Sequence, residues 1–385
     1  MERRLVHEAP VVVFSGGGTG GHLYPALAIA DALRGVCPGV RVVFVGAERG
    51  LEASVLPERG EEHLLLPVMG LDRRRPLGNG RALVGLAVGL RRVSRLFRDA
   101  RPGVVVVTGG YAGAAAGIAA GLMGVPLVLQ EQNSVPGAVT KLLTRFARRV
   151  HVAFPEAIDR LPVNHARCVV SGNPVRARSS MTRREARHSF GVPEAVRLAL
   201  VTGGSQGSLA LNGAVTAFVE RVCASDVVRP TDLHLLWATG RKHFDAVEAA
   251  LRTVGMPEWV HVLPYIEDLP GALAAADLAL SRSGAMTTAE FLNQGLPAIL
   301  VPLPTAAADH QMHNARALEA AGATRVLPQT ELTPARLAQE LSELFASPDL
   351  LLDMRARALE RARPGATSAI ASDIAELVRA ERRIV

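Results

Sequence analysis

Val11-Val12-Val13-Phe14-Ser15-Gly16-Gly17-Gly18-Thr19-Gly20-Gly21-His22 passes from an apolar run into five glycines within six positions. A β-branched run that ends in glycines and opens an Ala/Leu-rich stretch reads as strand, tight turn and helix. The rhythm recurs. Residues 40–45, 104–107 and 125–129 read as further strands of the first half, and 197–202, 233–239, 260–263, 278–281 and 298–301 as those of the second. The second series begins with its own glycine loop, Gly203-Gly204-Ser205-Gln206-Gly207. Near-continuous apolar strands alternating with helices predict parallel sheets covered on both faces, an α/β architecture of Rossmann-like doubly wound domains. Crossovers in such sheets are right-handed, and ligands collect at the carboxyl ends of the strands. The rhythm breaks around Asn173-Pro174-Val175-Arg176, which places a boundary near Gly172. Residues 1–172 and 173–366 are then two similarly built domains, with a last helix in 367–385 packing back on the first.

Composition narrows the class. The 385 residues are 49% apolar and 21% charged, which excludes a disordered chain, a coiled coil or a disulfide-stapled miniprotein. Net charge is +7, and of 43 basic residues only Lys141 and Lys242 are lysine. The charges are scattered and aromatics are only 4%, so no concentrated basic patch with stacking rings points to nucleic acid. Cys37, Cys168 and Cys223 lie far apart without a C-x-x-C, which argues against zinc or a disulfide framework and fits a reducing compartment. The N-terminus shows no apolar core of a signal peptide. The charge-free stretch 102–130 holds seven glycines and reads as strand, helix and strand, too broken for a ~20-residue membrane span.

Three loops carry candidate chemistry. Glycines at 16–21 let the backbone approach a ligand, and the helix that follows offers amide groups and the positive end of its dipole to an anion. The spacing also satisfies G-x-G-x-x-G, with Glu48 after the second strand, so a dinucleotide oxidoreductase competes. The second loop matches G-x-S-x-G, with Ser205 as a hydrolase nucleophile and Asp277 or Asp309 and His310 or His313 downstream. No lysine follows a glycine, which excludes a P-loop. The third segment, Arg282-Ser283-Gly284-Ala285-Met286-Thr287-Thr288-Ala289-Glu290, places amides and Thr hydroxyls where a diphosphate can sit, and an acceptor-only carboxylate where a ribose diol can be held. The dehydrogenase and hydrolase readings each leave one or two of these loops without a job.

SGGGTGGHLYPALAIA, GGYAG, LQEQNSVPG, SGNPVR, VTGGSQGS, SRSGAMTTAEF and the ADHQ…NA loop, in this order, resemble the MurG family of bacterial glycosyltransferases (family 28, GT-B superfamily). The resemblance runs from about Val11 to the C-terminus. It implies a GT-B architecture of two Rossmann-like domains facing across a cleft, the N-terminal one for the acceptor and the C-terminal one for the nucleotide sugar. It implies an inverting transfer of N-acetylglucosamine from UDP-GlcNAc to the C4 hydroxyl of an undecaprenyl-diphospho-muramyl pentapeptide, lipid I to lipid II, in peptidoglycan synthesis. Another GT-B glycolipid synthase using a different UDP-sugar or lipid is the alternative, and a non-catalytic nucleotide-sugar-binding subunit the non-enzyme one. Matched position by position, donor contacts fall on Thr19, Gly20, Gly21, Asn133, Arg176, Ser205, Gln206, Ile266 (beside the uracil), Ala285, Met286, Thr287, Thr288, Ala289, Glu290 and Gln311. Gly17, Gly18, Gly109, Gly110 and Tyr111 belong to the acceptor and diphosphate loops. One departure is A-A-A-D-H-Q, where many relatives carry a second acid before D-H-Q.

Such chemistry needs a base at the acceptor hydroxyl and stabilisation of the departing diphosphate. His22 is the leading base candidate, because a helix N-terminus disfavours imidazolium; a neutral donor to phosphate or sugar is its other reading, and Glu131 stands in reserve. The sequence has no D-x-D, so neither a metal nor another cofactor is expected. The resemblance implies as partners the nucleotide sugar, the polyprenyl-diphosphate muramyl peptide, an anionic membrane surface, and cell-wall synthesis or division proteins, at the cytoplasmic face of the plasma membrane as a peripheral protein. The stretch from Leu71 to Arg98 is the candidate contact: Arg73-Arg74-Arg75 adjoin Leu77, while Leu83, Leu86, Leu90, Val93 and Phe97 recur at helical spacing. The stripe itself reads as core-facing; each arginine beside it would add ~1 kcal/mol on anionic lipid.

Overall fold

The computed structural model describes residues 9–70, 79–162 and 164–381. The chain divides into two compact units: Met1–Val175 with Gly365–Val385, and Arg176–Pro364. The first crossing thus falls three residues beyond Gly172. Unit 1 is built on a parallel sheet of β1 (Val11–Gly16), β2 (Arg41–Ala47), β3 (His63–Leu66), β4 (Val104–Gly109), β5 (Leu127–Glu131), β6 (Ala147–Val152) and β7 (Cys168–Val170), in the order β3-β2-β1-β4-β5-β6-β7. Unit 2 repeats the plan with β8 (Arg197–Thr202), β9 (Leu233–Ala238), β10 (Val260–Leu263), β11 (Leu278–Ser281), β12 (Ala298–Leu300) and β13 (Thr324–Val326), in the order β10-β9-β8-β11-β12-β13. Both units are doubly wound, as the strand rhythm predicts.

Alternation along β1 shows how each sheet is covered. Val11 and Val13 join the core on one face with Val105 and Val107, while Val12 and Phe14 join the other with Val104 and Val106. The strand order reverses between β1 and β4, and again between β8 and β11. Such a reversal opens a crevice at the carboxyl ends of the strands, and all three loops singled out in the sequence lie at these two places.

The charge-free stretch resolves as β4, the helix Gly110–Met123 and β5. Its small residues admit close packing: a Cβ at Gly117 would lie 2.3 Å from Leu143, and one at Gly121 2.6 Å from the Phe146 ring. Among the described residues no helix is long and apolar enough to cross a membrane. In the helix Gly80–Ala100 the stripe divides. Val93 and Phe97 are buried, but Leu83 is 59% exposed, and Val84 and Val88 are exposed on a flank that the heptad count did not single out. Glycines at 85 and 89 take the buried places instead, against Pro67 and Val68. The expected lipid contact at Arg73-Arg74-Arg75 and Leu77 lies outside the described residues.

Four strands escape the sequence reading: β3, β6, β7 and β13. β7 and β13 are three residues long, and β6 carries Arg148 and Arg149 in its first half. The chain leaves unit 2 at Pro364 and ends in the helix Ala366–Glu381, whose Ile370, Ala371, Ile374, Ala375 and Val378 pack with Leu23, Leu27 and Ala30 of the helix Gly20–Val36. A polar clasp fixes it: the buried His151 of β6 meets Asp373 through Nε2 at 3.0 Å. That bond holds the Asp373 carboxyl below its ordinary range.

Candidate functional sites in the two units

At the reversal in unit 1, β1 ends at Gly16 and the helix begins at Gly20, with Thr19 as an N-cap whose side chain makes no capping bond. The first amides of that helix lack partners within it and face the loop. His22 sits in the first turn. Its Nδ1 lies 3.3 Å from the Gly17 carbonyl and 3.3 Å from the Thr19 hydroxyl, and its own carbonyl accepts a 2.8 Å bond from Thr108 of β4. The loop after β4 closes on this group. Gly110 has φ +77°, and a Cβ there would stand 2.1 Å from the Gly17 oxygen; one at Gly109 would stand 2.7 Å from the His22 ring. Glycine is therefore required at both positions by contact as well as by conformation. Tyr111 is exposed, with its hydroxyl against Gly70.

Glu131 ends β5 and is 3% exposed. Its carboxylate accepts bonds from the amides of Asn133 (3.1 Å) and Gly137 (2.9 Å), the Asn133 side chain (3.3 Å) and the Thr140 hydroxyl (2.7 Å). Four donors saturate both oxygens, which is the geometry of a carboxylate that shapes the E-Q-N loop. That arrangement disfavours the reserve role of Glu131 as a base. Gln132 ties the same loop to β4 through the Thr108 carbonyl at 2.8 Å.

One carboxylate went unnoticed in the sequence. Glu52, at the start of the helix Glu52–Glu58, is fully buried, and its Oε1 accepts from the Gly18 amide at 2.8 Å and the Ala47 amide at 3.3 Å. Glu48, the acid singled out in the dehydrogenase reading, is instead an exposed residue paired with Arg92.

In unit 2, Ser205 and Gln206 are exposed on the turn after β8, and the helix Leu209–Cys223 starts only after a Ser208 cap. A nucleophile elbow would pass straight from serine into helix. Asp277 moreover precedes β11, at the amino end of the strands and so opposite the loop after β8, where Arg183 and Arg187 bind it. That placement removes Asp277 from the hydrolase reading.

The helix Ala285–Gln294 begins at Gly284 without a side-chain cap, so first-turn amides such as those of Met286 and Thr287 point out of its N-terminus. Thr287 is half-buried, whereas Thr288 is buried and its hydroxyl donates back to the Gly284 and Ala285 carbonyls, both at 3.1 Å. Without a ligand, then, the Thr288 hydroxyl is engaged within its own helix turn, unlike that of Thr287. Ala289 and Glu290 are half-buried on the next turn. Burial pushes the Glu290 carboxyl up to about 7, opposed by the charge of Arg176. Arg176 is exposed and donates to the Glu267 carbonyl at 3.4 Å. Gln311 accepts from the Leu303 amide at 3.0 Å through Oε1, and its backbone carbonyl takes the Ser283 hydroxyl at 2.8 Å, which leaves its amide end to meet a ligand. The Ile266 side chain is only 6% exposed, so that residue can meet a base only through its backbone. Arg282, also in the motif, is a structural brace: it donates to Ser208, to the Val301 and Pro302 carbonyls and to Gln329.

In unit 1 the structure brings His22 together with Gly17, Thr19 and Gly109 at the strand reversal, and in unit 2 the charge of Arg176 acts on Glu290, whereas Glu131 and Asn133 follow β5 and Ile266 follows β10. Among the described residues no three His, Cys, Asp or Glu side chains are placed to hold a metal ion.

Residues 12–152 match the glycosyltransferase family 28 N-terminal domain, and residues 198–372 match the family 28 C-terminal domain. Two curated relatives are named UDP-N-acetylglucosamine–N-acetylmuramyl-(pentapeptide) pyrophosphoryl-undecaprenol N-acetylglucosamine transferase. The one from Salinibacter ruber is 42% identical over 370 residues, covering 96% of this chain and 97% of the relative. That from Moorella thermoacetica is 43% identical over 373 residues, covering 95% and 99%. Among solved structures, MurG of Acinetobacter baumannii superposes with a TM-score of 0.75 at 29% identity, covering 95% of this chain and 99% of that one.

Proposed function

The chain belongs to glycosyltransferase family 28, and on that basis we propose that it moves N-acetylglucosamine from UDP-GlcNAc to the C4 hydroxyl of undecaprenyl-diphospho-MurNAc-pentapeptide, converting lipid I to lipid II. The observation that carries this reading is the pairing of a near-full-length relationship to transferases of that name with two loop clusters at the strand reversals. The reaction is a single inverting displacement. The muramyl O4 attacks the anomeric carbon, the bond from that carbon to the UDP oxygen breaks, and the electron pair leaves with UDP.

The residues of unit 2 suit the donor. Glu290 can accept two hydrogen bonds from the ribose diol, and the amides of the helix Ala285–Gln294 can face the diphosphate with Arg176 and Ser205 beside them. Charge developing on the leaving diphosphate then meets fixed dipoles that need no reorganisation. Residues of unit 1 suit the acceptor end. His22 takes the O4 proton on Nε2, because a proton on Nδ1 facing the Gly17 carbonyl leaves the lone pair on the other nitrogen. Thr19, Gly20, Gly21 and Asn133, also of unit 1, offer amide and polar groups to the donor.

Contact with an anionic membrane surface follows from the lipid acceptor. The exposed Leu83, Val84 and Val88, with Arg91, Arg92 and Arg95 on the same helix, are the described residues that suit it, from the cytoplasmic side where UDP-GlcNAc is made available. Cell-wall synthesis or division proteins are the partners such a site would serve. The decisive experiment is transfer of labelled N-acetylglucosamine from UDP to a short-chain lipid-linked muramyl peptide by the purified chain alone. Transfer that UDP-glucose does not compete supports the proposal; efficient use of UDP-glucose, or no transfer without a partner protein, rejects it.

A further inference from the structure

We propose that Glu52 is a positioning residue for His22, acting on it through the single peptide that joins Gly17 to Gly18. The proposal rests on the assignment of His22 as the base. The N–H of that peptide donates to Glu52 Oε1 at 2.8 Å, and its carbonyl lies 3.3 Å from His22 Nδ1. A carboxylate pulling on the N–H polarises the same peptide's C=O, since hydrogen bonds in series strengthen one another. The carbonyl becomes the better acceptor for an Nδ1 proton, and the Nε2 lone pair is held ready. This is the task of the acid in a serine-protease triad, with one peptide inserted between acid and imidazole. When Nε2 takes the proton from O4, the sugar O–H bond breaks and an N–H bond forms. The positive charge on the ring is then stabilised by the carbonyl and, beyond it, by the carboxylate, which itself gains no proton.

The surroundings show how closely the fold is built around this side chain. Glu52 is wholly buried, and its Oε2 has no hydrogen-bond partner among the described residues. A glutamine there would keep an acceptor for the Gly18 and Ala47 amides and set its NH2 where Oε2 lies, so Glu52→Gln changes the strength of the acceptor with little change of shape. Three glycines make room for the group: a Cβ would stand 1.4 Å from Oε1 at Gly17, 2.1 Å from Oε2 at Gly50, and 2.7 Å from the Glu52 Cβ at Gly46. Gly110 closes over the Gly17 oxygen and Glu52 is buried, so the acid end of the relay lies inside the fold, while Gly18 is exposed and His22 half-buried at its open end. A competitor sharpens the prediction. The Thr19 hydroxyl, 3.3 Å from Nδ1, would favour the opposite tautomer if it donated there.

The test is 15N NMR of the histidine-labelled full chain with the ring neutral, the His22 signals assigned by their loss in His22→Asn. The wild type is expected to carry the proton on Nδ1. Glu52→Gln, which keeps an acceptor and removes the charge, is expected to shift the tautomer toward Nε2–H. It should lower kcat by about 10- to 100-fold, the scale on which outer partners of functional histidines act. KM for UDP-GlcNAc should change by less than about twofold, because no donor contact is touched. An Nε2–H tautomer in the wild type overturns the proposal whether or not the variant folds, as does a variant with unchanged tautomer and kcat. Failure of the base assignment is read separately: normal turnover in His22→Ala removes it, while the tautomer comparison still judges the relay.

Discussion

The two strand reversals use the same parts to opposite ends. Each has a glycine loop after one strand, a second loop after its neighbour, and one buried or half-buried glutamate. In unit 1 the glutamate reaches under the loop, takes the Gly18 amide and leaves no side-chain carboxylate to meet a ligand. In unit 2 the glutamate stands on the second turn of the ligand-side helix, with burial and Arg176 pulling its carboxyl in opposite directions. A glycine-rich turn thus identifies where backbone must come close, but not what it approaches. The neighbouring acid differs: inside the fold it holds the Gly18 amide beside the proposed base, and in unit 2 it is the group proposed to meet a ribose diol.

The largest expected break in this comparison is His22→Ala, which should lower single-turnover transfer by at least ~10²-fold, with UDP binding by calorimetry nearly unchanged. A normal rate would leave unit 1 with a purely structural loop. Next comes Glu290→Gln, which should weaken UDP-GlcNAc binding by about 10-fold or more, since a charge-assisted pair of bonds is replaced by weaker ones. In the wild type the same affinity should decline as pH falls through about 7, where the carboxylate is protonated. Arg176→Ala, which removes the opposing charge, should move that midpoint upward.

The folded chain without donor provides a separate readout with its own sign. A carboxyl whose value is raised on folding binds more protons in the native state, so its contribution favours folding at low pH and is lost as pH rises from the ordinary carboxyl range to about 7. The loss is on the order of 3 kcal/mol, and Glu290→Gln should flatten that part of the pH-stability curve. A curve of unchanged slope would place the titration elsewhere. Finally, Gly110→Ala should destabilise the chain by about 1–3 kcal/mol in urea unfolding, through its positive φ and the clash with Gly17. Gly284→Ala, with open space around its Cβ and an ordinary φ, should cost within about 0.5 kcal/mol. Equal costs would mean that the crowding around Gly17 is relieved by loop movement.

Much of this was legible beforehand because the signals are local. Val11–Gly21 declares strand and turn by residue type, and Arg282–Glu290 places its carboxylate by helical spacing alone. What escaped depends on contacts between distant segments. Glu52 lies among ordinary surface-like residues, in E-R-G-L-E, and becomes a loop support only because β1 and β2 are neighbours. Thr288 and Thr287 are indistinguishable in a string, yet the helix turns one hydroxyl inward. Glu131 reads as a reactive acid until Gly137 and Thr140 fold back over it. Short strands such as β7 and β13 have too few residues to show a period of two.

The helix Ala366–Glu381 has a consequence for how the molecule is made. Arg379 bonds the carbonyl of Val36, 343 positions earlier, and apolar side chains from both ends of the chain share one core. A ribosome therefore makes the residues from 37 to 365 before the flank of the first long helix can be covered. Until the helix Ala366–Glu381 emerges, that flank is a sticky surface, a natural client for chaperones, and any nascent chain cut short before it carries the exposed patch by which quality control can recognise it.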